Sequence, residues 1–100
     1  MSVVVEITHF KGGDPEKMIE AARYAVPRWK GLGAEYAQPF RVHSGPDAGQ
    51  WVFVVRFPSW SVYGQAREAI ATDAEFQRRL AELLTQCELV SRVVNVGVDL

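Results

Sequence analysis

The sequence predicts an α+β domain whose elements run strand-helix-strand-strand-helix-strand. Three observations predict it. Four runs are rich in β-branched and aromatic residues, two intervening stretches carry apolar residues at helical spacing, and one turn-forming segment, HSGPDAG, separates the second run from the third. The chain has 100 residues, 48% of them apolar and 23% charged, which is single-domain size and ordinary globular composition. No repeat, low-complexity tract or linker interrupts it, so residues 1–100 read as one domain.

Residues 3–10, VVVEITHF, form the first strand, with both faces largely apolar. Lys11-Gly12-Gly13 breaks it. Asp14 stands at an N-cap position, Pro15 at the first helical position and Glu16 in the first turn. Met18, Ile19, Ala22, Ala25, Val26 and Trp29 then repeat at helical spacing, which predicts an amphipathic helix over 15–30. Pro27 removes one backbone donor and is expected to kink or loosen the last turn. Gly31 and Gly33 end the helix.

Residues 34–43 read as a second strand, and Pro39 favours an edge position or a bulge. Residues 50–57, QWVFVVRF, are the strongest strand, with Trp51, Phe53, Val55 and Phe57 on one face. Ser59 is placed to cap a helix whose apolar stripe is Val62, Tyr63, Ala66, Ala69 and Ile70. Thr72-Asp73-Ala74-Glu75 has capping-box form and restarts the helix, with Phe76, Leu80, Leu83 and Leu84 facing inward. Residues 89–98 make a valine-rich last strand.

This order is the ferredoxin-like plan: a four-stranded antiparallel sheet with its helices on one face. The opposite face should then alternate to polar if it meets water, and it does not. Val3, Val5 and Ile7 oppose Val4; Val52 and Val54 oppose Trp51 and Phe53; Val93 opposes Val94 and Val96. Several hundred Å² of exposed apolar sheet is an association signal. Face-to-face homodimerisation is the most economical cover, and His9 shares the parity that points to the partner.

Charge excludes some function classes. Eleven basic and twelve acidic residues give a net charge of −1, and Arg78-Arg79 is the only adjacent basic pair, so no nucleic-acid partner is expected. No apolar run approaches the ~20 residues of a membrane span, and the first residues lack the features of a leader, so the expected location is cytoplasmic with no membrane partner. Cys87 is the single cysteine and lies beside Glu88, a setting that disfavours a reactive thiolate. His9 and His43 have no carboxylate or cysteine at metal-ligand spacing, so no metal is expected. No serine sits in a nucleophile-elbow pattern, and Gly12-Gly13 is too short to cradle a phosphate.

On these elements the chain resembles the dimeric α+β barrel superfamily, particularly its antibiotic-biosynthesis-monooxygenase-like and haem-degrading members. The likeness spans nearly the whole chain. It is carried by the strand leading through Gly12-Gly13-Asp14-Pro15-Glu16 into a helix, by Val54-Val55-Arg56-Phe57-Pro58-Ser59 running into Tyr63, and by Thr72-Asp73-Ala74-Glu75-Phe76. The resemblance implies a dimeric barrel with a pocket between sheet and helices in each protomer. It also allows functional positions to be compared one by one. Haem-degrading members carry an asparagine on the first strand, a tryptophan ending the third and a ligating histidine on the second helix. This chain has Glu6, Phe57 and Leu80 there, which argues against haem degradation. Quinone-forming monooxygenases carry an asparagine and a tryptophan on the third strand and a tyrosine on the next helix. Only the tyrosine matches, as Tyr63; the other positions are Phe53 and Phe57.

Glu6 interrupts an apolar strand. In a helix-side pocket, desolvation would raise its pKa and suit it to general acid or base work; paired with Arg56 or an interface arginine, it would be structural. Tyr63 is a candidate hydrogen-bond donor or acid toward a ligand, or a packed tyrosine with its hydroxyl at the edge. Trp29, Trp51, Phe53, Phe57 and Trp60 are candidates to line an aromatic pocket, or to fill the core. The functional expectation is a dimer holding a small apolar or aromatic ligand, with cofactor-independent monooxygenase- or isomerase-like chemistry on Glu6 and Tyr63. The alternative is a non-catalytic homodimeric ligand-binding or structural module.

Overall fold

The computed structural model describes residues 2–100. Its elements are β1 (Val4–Gly12), α1 (Pro15–Gly31), β2 (Tyr36–Arg41), β3 (Trp51–Phe57), α2 (Trp60–Ala71), α3 (Ala74–Leu83) and β4 (Cys87–Val96). The strands form one antiparallel sheet in the order β2-β3-β1-β4, the ferredoxin-like arrangement.

Pairing register divides the side chains between two faces. Val4 opposes Phe57, Glu6 opposes Val55 and Thr8 opposes Phe53, all on the helix-covered side. The core there is built from Val4, Trp29, Ala34, Ala37, Val55, Phe57, Ala66 and Ile70, with Phe76 packed against it, so all three helices contribute to one face. The other face carries Val5, Ile7, Val52, Val54 and Val93, ringed by Tyr36, Phe40, His9 and Arg56. Among the described residues no element covers it, and Val93 is 49% exposed.

The shape follows from this one-sided packing. The chain is a slab of 38 × 35 × 18 Å. Its accessible surface is 6234 Å², against about 5,700 Å² for a compact monomer of this mass.

Local chemistry refines several boundaries. The expected second strand over 34–43 is shorter, because Ala34 and Glu35 serve the turn after α1 instead: Ala34 N–H donates to Trp29 O and Glu35 N–H to Arg56 O. Asp14 holds the N-cap position of α1 without a side-chain cap; its backbone N–H donates to Gln86 Oε1 at 2.8 Å. The helix runs through Pro27 to Gly31. Ser59 caps α2 as expected, accepting from Val62 N–H at 3.2 Å. The cap of α3 is Asp73 rather than Thr72, since Asp73 Oδ1 accepts from Phe76 N–H at 3.0 Å while Thr72 closes α2 by donating to Glu68 O and Ala69 O. β4 begins at Cys87 and ends at Val96, two residues earlier at each end than its valines suggested. A bulge between His9 and Phe10 sets its register on β1.

Candidate functional site

Glu6 is the chemical centre of the helix-side face. It is 3% exposed, in the middle of β1. A carboxylate so placed requires partners, because an unpaired buried charge costs several kcal/mol. Tyr63 and Arg67, four residues apart and so on one face of α2, supply two of them. Tyr63 Oη donates to Glu6 Oε2 at 2.7 Å, and Arg67 Nη1 lies 3.6 Å from Oε1. The third comes from β4: Arg92 Nε lies 3.8 Å from the same Oε1. Arg56, the expected structural partner, sits on the opposite face and pairs with Glu35 at 3.5 Å.

The environment also fixes the protonation of Tyr63. Burial first, then the hydrogen bond to Glu6 and the charge of its carboxylate, push the phenol from 10.0 up to about 12; Arg67 and Arg92 oppose that shift. At neutral pH Tyr63 is therefore a firm hydrogen-bond donor. Cys87 is far from activation: burial raises its thiol pKa, and Sγ donates to Leu83 O at 3.4 Å.

A cleft of about 770 Å³ opens beside Glu6, between the sheet and helices α1 and α3. Glu6, Thr8, Phe10, Trp51 and Phe53 form its floor, Trp29 and Phe76 part of its helical wall, and Arg67 and Arg92 lie along its edge. Among the candidate ligand residues, Trp29, Trp51 and Phe53 thus line the cleft. Phe57 is 0% exposed and lies in the core, edge-on between Trp29 at 5.8 Å and Tyr63 at 5.3 Å. The space enclosed by Trp29, Phe57 and Tyr63 is consequently filled, and Tyr63 reaches the cleft only through Glu6. Trp60 is 52% exposed and packs edge-on against Tyr63, away from the cleft.

Arg67 and Arg92 were not singled out from the sequence. The i, i+4 spacing from Tyr63 marks the first, and the antiparallel register that sets Arg92 opposite Thr8 marks the second. Among the described residues no three His, Cys, Asp or Glu side chains gather to hold a metal ion. No helix among them is long and apolar enough to cross a membrane.

No protein-family model matches the chain, and no curated protein matches it. Solved structures do. A dimeric ferredoxin-like protein from an uncultured marine organism superposes with a TM-score of 0.75 at 12% identity, over 98% of this chain and 96% of that one. SnoaB, a cofactor-independent oxygenase from Streptomyces nogalater, gives 0.66 at 13% identity, over 99% and 94%. The fold they share with this chain is the ferredoxin-like α+β fold. A NIPSNAP family protein from Agrobacterium tumefaciens shares this fold as well, with a TM-score of 0.68 at 16% identity over 98% and 92%. At these identities the likeness is one of fold.

Proposed function

We propose that the chain is a homodimer that holds a small apolar or aromatic ligand in the cleft of each protomer and acts on it by cofactor-independent monooxygenase- or isomerase-like chemistry. The observation that carries this reading is the buried Glu6 carboxylate, fixed by the Tyr63 hydroxyl at 2.7 Å and set in the floor of an aromatic cleft. Glu6 is the group that would touch the ligand, and Tyr63 positions it.

In this role Glu6 accepts a proton from a ring carbon or phenol, and the guanidinium groups beside it stabilise the anion left behind. For oxygenation, the electron-rich anion is oxidised by dioxygen. Converting a ring CH2 to C=O consumes one O2 and releases one water. For isomerisation, the same proton returns at another carbon. The SnoaB likeness supports the oxygenase form by fold alone.

Dimerisation rests on the apolar sheet face and on the slab shape. The dimeric ferredoxin-like relative supports the same reading.

The test is oxygen uptake by the purified protein over a panel of polycyclic phenols, repeated with Glu6→Gln and Tyr63→Phe. Turnover that is lost in Glu6→Gln and reduced in Tyr63→Phe supports the enzyme. Binding without uptake or isomerisation supports the alternative, a non-catalytic homodimeric binding or structural module. The close packing of Trp29, Phe57 and Tyr63 is the observation that favours that second reading.

A further inference from the structure

Two guanidinium groups converge on one carboxylate oxygen at the edge of the cleft. Arg67 comes from α2 and Arg92 from the edge strand β4, and they stand 3.6 and 3.8 Å from Glu6 Oε1. Among the described residues, Glu6 is the only carboxylate in ion-pair range of either. Its other oxygen is already taken by Tyr63. One negative charge therefore faces two positive ones, and both separations exceed a direct hydrogen bond. Each guanidinium carries five N–H donors, so most of this donor capacity is unused by Glu6.

The surplus positive charge is not spread over open surface. Arg67 and Arg92 side chains are 30% and 36% exposed, and both line the cleft. Arg67 also lies over the Trp29 ring, its Cζ 5.8 Å from the centroid, which couples the charged edge to the aromatic wall. Because both groups lie so close to a single oxygen, one further carboxylate can bridge them.

We propose that the cleft's ligand is a planar aromatic acid, ionised at neutral pH, whose carboxylate lodges between Arg67 and Arg92 while its ring lies against Trp29, Trp51 and Phe53. This rests on the reading of the cleft as an aromatic-ligand site and adds to it the charge of the ligand. The acid neutralises the uncompensated guanidinium, and the paired donors orient the ring over Glu6.

Calorimetric titration of the full chain with 2-naphthoate and with 2-naphthalenemethanol, its neutral counterpart, tests the assignment. The acid is expected to bind at least about tenfold more tightly than the alcohol, and to weaken as salt is raised. In Arg67→Met and in Arg92→Met the ratio between the two probes should collapse toward one, and Arg92→Lys should restore part of it. Because the wild-type ratio is itself decisive, a variant that fails to fold does not remove the test. Equal affinity for the two probes, or tighter binding of the alcohol, overturns the acid assignment and leaves the aromatic cleft standing. Binding of neither probe overturns both.

Discussion

Tyr63 and Glu6, 57 residues apart in sequence, meet at 2.7 Å where α2 lies across the centre of β1. The contact joins the second half of the fold to the first through a charged acceptor. It also explains how a carboxylate persists at 3% exposure in a sheet of this size.

The first prediction concerns this pair. Tyr63→Phe leaves the ring packing against Phe57 and Trp60 but removes the donor, and should lower stability by about 1–3 kcal/mol in chemical denaturation. The folded-state phenol sits near 12 and the ordinary value is 10.0, so its neutral form is favoured by folding. That contribution is complete below pH 10 and is lost as pH rises toward 12. Wild type should therefore lose stability across this window, and Tyr63→Phe should lose less. Equal alkaline losses in the two proteins would separate Tyr63 from Glu6.

The second prediction concerns the bare sheet face. Ile7 lies at its centre, opposite Val54 on one side and Val93 on the other. Ile7→Asp would bury a charge in a sheet-to-sheet interface, at a cost of several kcal/mol. Sedimentation equilibrium should show a wild-type dimer, with dissociation in the variant raised by about a hundredfold or more. A folded wild-type monomer at micromolar concentration contradicts the pairing.

The third prediction concerns the turn after α1. Gly33 has φ +104°, and a Cβ there would meet Val62 Cγ1 at 2.7 Å. Gly33→Ala combines a strained backbone with an overpacked helix contact, and should cost about 1–3 kcal/mol in denaturant unfolding. A neutral outcome would place α2 farther from this turn.

Much of the fold was legible because pattern and topology agree. The β-branched and aromatic run Trp51–Phe57, the Gly-rich break before Pro15 and the cap at Ser59 each determine an element from adjacent residues alone. The errors arise where tertiary contacts decide. Asp73 displaces Thr72 as the cap of α3, and it also ion-pairs with Arg28 on α1, a partner no local pattern reveals. In the site, Glu6 stood out because a carboxylate in an apolar strand is costly. Its partners did not stand out. Arg56 is the nearer candidate in the strand pairing, yet parity sends it to the other face, while Arg67 and Arg92 arrive by a crossover and by the register of the edge strand. Phe57 and Trp60 share composition with Trp29 and Trp51, and only packing separates core and surface from cleft.

If the aromatic cleft beside Glu6 is where the ligand binds, the three indoles offer an internal control. Trp29 and Trp51 line the cleft, whereas Trp60 lies outside it. Two-dimensional proton–nitrogen spectra, with each indole N–H assigned by single Trp→Phe substitution, should be recorded during titration with 2-naphthoate. The Trp29 and Trp51 resonances are predicted to shift together and saturably while Trp60 stays in place. A shift confined to Trp60, or no shift in any of the three, would rule out the cleft as the binding site.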